Sequence, residues 1–318
     1  MKQVFNVGIV GLGVVGQRLI SQFKKNENIK IRAVCDTNQD LLKITALECE
    51  DADQFTNYNE LLELEDIDFV YVAVPPAYHH QVVLAAAKHN KHILCEKPLA
   101  NSLEEAEDML KIVEEKKLVH AIHFPLVYEK GFATIKNMIE NGYFGEIKRV
   151  TLKMHFHQWP RPWQQTNWIS SRKQGGFIRE ISPHYLQLIT YFFGTVIKVT
   201  SHVDYPIDPE LCETGLIATI ELENGIKVLM DGISGQAEKE EIAFTIHGEK
   251  SSLSLINWRK IYIAQLGGEW NELMENEMMP ETSNLVSEFV KKMQMQDAHL
   301  VDFNDGFNIQ KTLEKLLK

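Results

Sequence analysis

The chain has 318 residues, of which 44% are hydrophobic and 24% charged, a balance typical of globular proteins with room for two domains. Its 44 acidic side chains outnumber 33 Lys and Arg, so the net charge of -11 would repel a nucleic acid. The sequence lacks the ~20 consecutive apolar residues of a membrane span, a signal-peptide pattern and a C-x-x-C pair. It therefore predicts a cytoplasmic protein with reduced cysteines and with neither a nucleic-acid nor a membrane partner.

The first part of the chain alternates strand and helix patterns. Predicted strands lie at residues 4–10, 31–35, 68–74 and 92–95. The third of these (DFVYVAV) is almost entirely apolar, as a strand must be when helices cover both faces of its sheet. The alternation predicts an α/β fold, with a doubly wound parallel sheet of the Rossmann type in a domain spanning residues 1–121.

The pattern changes beyond residue 121. A helix near 131–141 is followed by strand-like segments between residues 148 and 256, several of them joined by short turns such as Glu223-Asn224-Gly225. Short turns between strands indicate antiparallel hairpins. We therefore predict a second, α+β domain at residues 122–318 with a largely antiparallel, open sheet, a kind of sheet that often pairs face to face in homo-oligomers.

A glycine cluster follows the first predicted strand. The segment GLGVVG matches the G-x-G-x-x-G pattern between a strand and a helix, the context in which this pattern indicates a dinucleotide site. Gly11 would permit the tight turn, Gly13 the close approach of a pyrophosphate, and Gly16 close helix–strand packing. The helix N-terminus would present free N–H groups to the phosphates. The predicted contacts are Gly11, Leu12, Gly13, Val14, Val15 and Gly16.

An acidic residue ends the second predicted strand. Asp36 follows Gly16 by 20 residues, the position at which a carboxylate accepts hydrogen bonds from a ribose diol. The same carboxylate would repel a 2′-phosphate, and the following Thr37 offers no compensating positive charge. The sequence therefore favours NAD over NADP. The further predicted cofactor contacts are Thr37, Val74, Pro75, His79, Glu96 and Lys97.

The tripeptide Glu96-Lys97-Pro98 ends the fourth predicted strand. Ligands of open parallel sheets bind beyond the carboxyl ends of the strands, so we expect Lys97 near the nicotinamide. The surrounding run HHQVVLAAAKHNKHILCEKPLANSLEEA resembles the Gfo/Idh/MocA oxidoreductases, the family of glucose-fructose oxidoreductase and inositol dehydrogenase. The resemblance extends to IKNMIENGYFGEI, to Trp168 with Gly175-Gly176, and to the terminal DGFNIQKTLEKL, and so spans most of the chain.

This resemblance implies an NAD-dependent oxidoreductase that acts on a sugar, an inositol or a related polyol, commonly as a homodimer or homotetramer. Lys97 matches the family's active-site lysine, which contacts the substrate hydroxyl. The family's Asp and His, four residues apart on a helix, correspond here to Glu180 and His184. That spacing places both side chains on one helix face, where the carboxylate can orient the imidazole.

The sequence also departs from the family pattern. Glu180 is one methylene longer than the usual Asp, and Pro183 leaves open whether the helix begins only there. Gln187 stands where many relatives carry a second acid, and His123 follows where the family often has Arg. These departures leave the identity of the polyol open.

Oxidation of an alcohol requires loss of a hydride to nicotinamide C4 and of a proton from the hydroxyl. An imidazole titrates near neutral pH, so His184 is suited to be the general base in oxidation and the acid in reduction. Lys97 would stabilise the charge that develops on the oxygen. The reverse assignment, with Lys97 carrying the proton, stays open.

The segment HFHQWPRPW at residues 155–163 is rich in rings. On a strand, His155 and His157 would share one face, and nearby tryptophans could form a wall against which a sugar ring stacks. An aromatic loop that packs over the domain interface is an equal alternative. No third ligand accompanies His-x-His at a recognisable spacing, so no metal site is predicted. The predicted substrate contacts are Lys97, His123, His155, His157, Trp163, Trp168, Arg179 and His184.

Other functions stay open at this point. The same fold could serve a catalytically silent NAD-binding sensor or regulator, an NAD-dependent glycosidase, or a dihydrodiol-type dehydrogenase. Lys97 and His184 argue against the regulator, since a protein that only binds NAD needs no proton carrier.

Overall fold

A computed structural model describes residues 3–49, 52–164, 166–281 and 283–318. The chain divides into two compact units. The first unit comprises Met1–Phe124 and Ser283–Gln310, and the second comprises Pro125–Thr282 and Lys311–Lys318. None of the helices in the described ranges is both long and apolar enough to cross a membrane.

The first unit contains a six-stranded parallel sheet. Its strands are β1 (Phe5–Val10), β2 (Ile29–Cys35), β3 (Asp53–Phe55), β4 (Phe69–Val72), β5 (His92–Glu96) and β6 (His120–His123). They alternate with α1 (Val14–Lys25), α2 (Gln39–Glu48), α3 (Tyr58–Leu62), α4 (His79–Lys88) and α5 (Leu103–Glu115). The strand order β3-β2-β1-β4-β5-β6 reverses direction between β1 and β4, and ligands of doubly wound sheets bind at that point. The predicted Rossmann fold is confirmed.

The second unit contains an eight-stranded sheet. Helix α6 (Lys130–Glu140) precedes its first strand in the chain, and helix α7 (Phe177–Phe193) connects its first strand to the second. The strands are β7 (Ile147–Phe156), β8 (Val196–Asp204), β9 (Gly215–Leu222), β10 (Lys227–Ser234), β11 (Glu241–Gly248), β12 (Ser251–Ile256), β13 (Lys260–Gln265) and β14 (Asn271–Leu273). The order is β14-β13-β12-β11-β7-β10-β9-β8, and β7 and β10 are the one parallel pair among the strand pairs of this sheet in the described chain. The prediction of a largely antiparallel sheet is confirmed.

Helix α7 covers one face of this sheet. Phe177 packs against Phe156 of β7 with 5.5 Å between ring centroids, and Tyr185 stacks on Phe244 of β11 at 5.9 Å. The helix begins at Phe177 and continues through Pro183, which answers the question that the sequence left open. Proline lacks an N–H group, so Pro183 cannot donate to the carbonyl one turn earlier, and the buried apolar contacts on either side hold the helix together.

The segment from Ser283 to Gln310 belongs to the first unit. It contains α8 (Leu285–Met293), and α9 (Phe303–Leu316) follows at its end. Phe289 of α8 packs against Phe69 of β4, with 5.2 Å between ring centroids. Ile122 donates its N–H to the Val301 carbonyl at 2.9 Å. The predicted second domain, 122–318, therefore differs from the observed second unit, which does not include residues 283–310. These residues belong to the first unit because the apolar face of α8 is buried by packing against it.

Candidate active site

The turn after β1 is tightly constrained by its glycines. Gly11 has φ +98°, in the left-handed region that favours glycine. Its N–H donates to the Cys35 carbonyl at 2.9 Å, and a Cβ on Gly11 would lie 2.6 Å from the Ala73 carbonyl carbon. A Cβ on Gly16 would lie 2.2 Å from the Gly11 oxygen. Only glycine therefore allows β1, β4 and α1 to meet here.

Gly13, by contrast, faces open space. Apart from Gly13 and its immediate chain neighbours, no atom of the described residues lies within 4 Å of the position that a Cβ on Gly13 would occupy. Gly13 is the N-cap of α1 and has no side chain with which to cap it, while the next residues, Val14 and Val15, are exposed. The first N–H groups of α1 therefore lie beside open space, an arrangement that fits a pyrophosphate.

The Asp36 carboxylate is fixed beside this turn. Its Oδ2 accepts a hydrogen bond from the Leu12 N–H at 2.8 Å, and its Oδ1 accepts one from the Asn38 N–H at 2.8 Å. Each carboxylate oxygen has a second lone pair with which to accept a bond from a ribose hydroxyl. Thr37 is exposed beside it. Together with the glycine turn, Asp36 fits the adenosine half of NAD.

His79 connects two loops at the same edge of the sheet. Its Nδ1 lies 2.9 Å from the Pro98 oxygen, and its Nε2 lies 2.9 Å from the Val74 oxygen. The side chain is buried, and burial lowers the pKa of His79. Both ring nitrogens thus face protein carbonyls, so this predicted cofactor contact ties the end of β4 to the loop after Lys97. Val74 and its neighbour Pro75 are half-buried.

Glu96 is the centre of a buried network. The Tyr71 hydroxyl donates to Glu96 Oε1 at 2.5 Å, and His123 Nδ1 lies 2.6 Å from the same oxygen. Burial alone would raise the pKa of Glu96, but His123, the Tyr71 hydroxyl and the charge of Lys97 together hold it below its ordinary value. Glu96 is therefore ionised at neutral pH. Both Glu96 and His123, predicted as cofactor and substrate contacts, make their observed hydrogen bonds within the protein.

Lys97 directly follows the buried Glu96 in the chain. It is half-buried, whereas its neighbours Glu96 and Pro98 are buried. It follows the last residue of β5, and the strands of this sheet are parallel. Lys97 therefore leaves the sheet at the same edge as the glycine turn, with its backbone fixed on both sides.

In the second unit, a buried carboxylate that the sequence did not reveal caps α7. Glu213 Oε1 accepts from the Ile178 N–H at 2.7 Å, and a Cβ on Gly176 would lie 2.2 Å from Glu213 Oε2. Burial raises the pKa of Glu213, while the Ile178 N–H and the charge of Arg179 oppose this rise. Arg179, a predicted substrate contact, thus lies near an internal carboxylate. Gly176 is the sequence signal of this close approach, whereas Gly175 lies against the Ile169 carbonyl.

His184 lies one turn beyond Glu180 on α7. Next to Tyr185, which packs on the sheet, His184 is buried, and Glu180 is half-buried. The His184 ring packs edge-to-face against Trp258, with 5.2 Å between centroids and 90° between planes. Trp258, which the sequence did not indicate, comes from the hairpin between β12 and β13. The spacing of Glu180 and His184 gives the shared helix face that was expected.

The predicted histidine pair is divided by the end of β7. Met154 and Phe156 are buried, and both contact α7, so the alternation along the strand places His155 on the opposite face. There, His155 Nε2 lies 2.9 Å from Asp231 Oδ2 of β10. His157 lies beyond the strand end and is exposed. The structure therefore does not bring His155 to the side of the sheet that carries His184.

The aromatic segment that follows encloses an arginine. The Arg161 guanidinium donates to both Glu240 oxygens at 2.8–3.0 Å and lies over the rings of Phe156, Trp159 and Trp163. Trp163 is exposed and Trp168 half-buried. Across the described part of the chain, no group of three or more His, Cys, Asp or Glu side chains could hold a metal ion.

A doubly wound sheet with an open glycine turn, an aspartate fixed beside it and a lysine at the same edge is the arrangement expected of a nicotinamide-dinucleotide oxidoreductase. Residues 5–124 match the model of an oxidoreductase family with an NAD-binding Rossmann fold, and residues 136–318 match the model of its C-terminal alpha/beta domain. The chain belongs to this family, Gfo/Idh/MocA.

Several relatives have names that bear on function. The chain is 24% identical to the 2,7-anhydro-N-acetylneuraminate hydratase of Escherichia coli, over 87% of this chain and 74% of that protein. It is 24% identical to the myo-inositol 2-dehydrogenase of Thermotoga maritima, over 67% of this chain but only 62% of that enzyme. Among solved structures, levoglucosan dehydrogenase in complex with NADH superimposes with a TM-score of 0.83 at 20% identity, covering 99% of this chain and 96% of that one.

Proposed function

We propose that this protein is an NAD-dependent dehydrogenase or reductase acting on a hydroxyl or carbonyl carbon of a sugar, an inositol or a related polyol. The observation that carries the proposal is the placement of Lys97. Its backbone is fixed between buried Glu96 and Pro98, and it leaves the parallel sheet at the edge where the glycine turn lies. The relative named myo-inositol 2-dehydrogenase supports the choice of substrate class.

Residues of the first unit would hold the cofactor. Bound NAD supplies the hydride acceptor for oxidation and, in its reduced form, the donor for reduction. The N–H groups at Gly13 and Val14 would bind the pyrophosphate, and Asp36 would accept hydrogen bonds from the adenosine ribose. Because the Asp36 charge is held beside the turn by two backbone N–H groups, a 2′-phosphate would meet repulsion. NAD is therefore the proposed cofactor.

Two side chains would share the proton chemistry. Lys97 would stabilise the negative charge that develops on the substrate oxygen as its hydroxyl proton leaves. His184 would accept that proton in oxidation and return it in reduction, and Glu180 would orient its ring. The Tyr71–Glu96–His123 network would keep the backbone at Lys97 rigid, since preorganised charges need no rearrangement during the reaction.

The test is nicotinamide absorbance with NAD and a panel of inositols, aldoses and sugar acids. We expect wild type to form NADH with at least one of them, and Lys97→Ala to lose at least a hundredfold in kcat, in line with the loss of one charge-stabilising donor. Lys111→Ala, an exposed lysine on α5, is the matched control and should behave as wild type. NADH formation by Lys97→Ala at the wild-type rate would refute the role of Lys97.

The same incubations separate the other functions. A glycosidase or a hydratase would convert the sugar without net NADH, so sugar products are analysed in parallel with absorbance. NAD binding without conversion of any substrate would favour a sensor or regulator. The hydratase relative makes the product analysis an essential part of the experiment.

We also propose a cytoplasmic homodimer or homotetramer that pairs through the sheet face opposite α7. Ile217 of β9 and Ile233 of β10, which lie on that face, are 61% and 41% exposed, and burying them against a second copy would be favourable. Light scattering on the purified protein measures the state, and a monomer for wild type would contradict the proposal.

A further inference from the structure

Trp258 lies at the tip of the β12–β13 hairpin and contacts two side chains of α7. Its indole is edge-to-face with the His184 imidazole, 5.2 Å between centroids, and tilted by 33° against the Tyr185 ring at 5.3 Å. The residue is nevertheless only half-buried. An aromatic surface therefore lies directly beside the imidazole, and any molecule that reaches His184 from this side meets it.

The backbone at this tip is held in an unfavourable conformation. Asn257 and Trp258 have φ of +47° and +76°, and the Arg259 N–H closes the turn on the Ile256 carbonyl at 3.3 Å. Turns with two left-handed central residues favour Asn-Gly, because glycine carries no Cβ. A tryptophan at the second position persists only where its surroundings fix it.

The turn is fixed to the neighbouring strand by two hydrogen bonds. The Asn257 N–H donates to the Ile242 carbonyl at 2.8 Å, and the Ile242 N–H donates to Asn257 Oδ1 at 2.9 Å. These bonds anchor the backbone through Asn257 and do not involve the indole. The hairpin could therefore be held without a tryptophan, which leaves the choice of an indole beside His184 to be explained.

The rings that the sequence singled out have other contacts. Trp159 packs against Phe156 and Phe177 and donates its Nε1–H to the Ile169 carbonyl at 3.4 Å. Trp163 lies at the Arg161 guanidinium. Trp258, by contrast, contacts the imidazole itself.

We propose that Trp258 determines which substrate shape the site prefers in the reaction proposed above, on which this inference rests. Its indole contacts the C–H face of a cyclic polyol while the reacting hydroxyl faces His184. Aromatic rings present a large, rigid apolar surface, and polar groups beside such a surface fix the orientation of a ligand. A cyclic polyol with a continuous C–H face gains this contact, and an open-chain polyol, which must be ordered first, gains less. The enzyme therefore prefers inositols and pyranoses to alditols.

The experiment compares wild type, Trp258→Phe, Trp258→Gly and the control Trp270→Leu. Trp258→Gly creates the favoured Asn-Gly turn, so it removes the indole without endangering the hairpin. Trp270 is 46% exposed and lies just before the short strand β14 of the same sheet. Melting temperature, kcat, and KM for NAD, myo-inositol, glucose and sorbitol are measured for each protein.

We expect Trp258→Gly to raise KM at least tenfold for the cyclic substrate that wild type uses, with kcat within threefold and KM for NAD unchanged. Trp258→Phe, which keeps an aromatic face, should remain within threefold of wild type, as should Trp270→Leu. The preference for cyclic substrate over sorbitol should fall in Trp258→Gly.

Each contrary result has a distinct meaning. If wild type uses a cyclic polyol and Trp258→Gly keeps its KM within twofold, the inference is wrong while the proposed function stands. A parallel loss of kcat and of NAD binding in Trp258→Gly would show general distortion and would also overturn it, as would a wild-type preference for sorbitol. If wild type converts no polyol with NAD, the proposed function fails and the inference fails with it.

Discussion

The cofactor site of the first unit and the surroundings of His184 in the second are assembled differently. The glycine turn and Asp36 come from one βαβ unit, within which the Leu12 N–H donates to an Asp36 carboxylate only 24 residues further along the chain. Around α7, the cap comes from Glu213 and the ring beside His184 from a hairpin tip much later in the chain. The first site therefore depends on local backbone geometry, and the second depends on how distant side chains pack.

The largest effect should separate two glycines of one turn. Gly11→Ala places a Cβ against the Ala73 backbone in a left-handed conformation and should destabilise the protein by about 3 kcal/mol. Gly13 has φ -65° and open space, so the entropic gain of Gly13→Ala and its poorer N-cap largely cancel, and stability should change by no more than about 0.5 kcal/mol while NAD binding weakens at least tenfold. Urea unfolding and NAD titration measure both, and equal destabilisation by the two variants would contradict this account.

That contrast explains which parts of the molecule the sequence could predict. The succession of strands, helices and glycines along the first unit follows from local patterns, and the hairpins of the second unit follow from turn residues. The three-residue strands β3 and β14 have too few residues for a pattern to develop. Glu96 and His123 are paired neighbours on β5 and β6, but their contact becomes visible only once the strand order is known. Trp258 could be assigned to His184 only through the packing of the hairpin.

The second prediction concerns the buried network around Glu96, the residue that precedes Lys97. Replacing Glu96 by Gln removes an ionised acceptor shared by Tyr71 and His123 and should cost about 2 kcal/mol of unfolding free energy at pH 7. Because the native pKa of Glu96 is lowered, its ionised form stabilises the fold above the unfolded value of about 4.3.

This stabilisation is lost as the pH falls through the native pKa, below that value. The difference in unfolding free energy between wild type and Glu96→Gln should therefore shrink when urea titrations are carried from pH 7 down to pH 3. A difference that stays constant over this range would mean that the charge of Glu96 contributes nothing.

A smaller effect should appear in cofactor choice. Asp36→Ser removes the charge beside the glycine turn, so the ratio of kcat/KM for NADP over NAD should rise about tenfold, equivalent to about 1.4 kcal/mol. Asp40→Ser, which removes an exposed acid on α2, is the matched control and should leave the ratio within twofold. An unchanged ratio in Asp36→Ser would mean that its carboxylate serves only the Leu12 and Asn38 N–H groups.

The smallest expected effect concerns the aromatic segment of the second unit. Arg161→Lys keeps the charge but loses the two-pronged bond to Glu240 and the stacking on Phe156 and Trp159, so unfolding free energy should fall by about 1 kcal/mol. The expected loss is modest because Lys still reaches a carboxylate as a point charge. A selective rise in KM for sugar acids, at unchanged stability, would instead assign the guanidinium to substrate binding. The aromatic segment would then act alongside Trp258, and the second unit would bind its substrate through two segments that are distant in the chain.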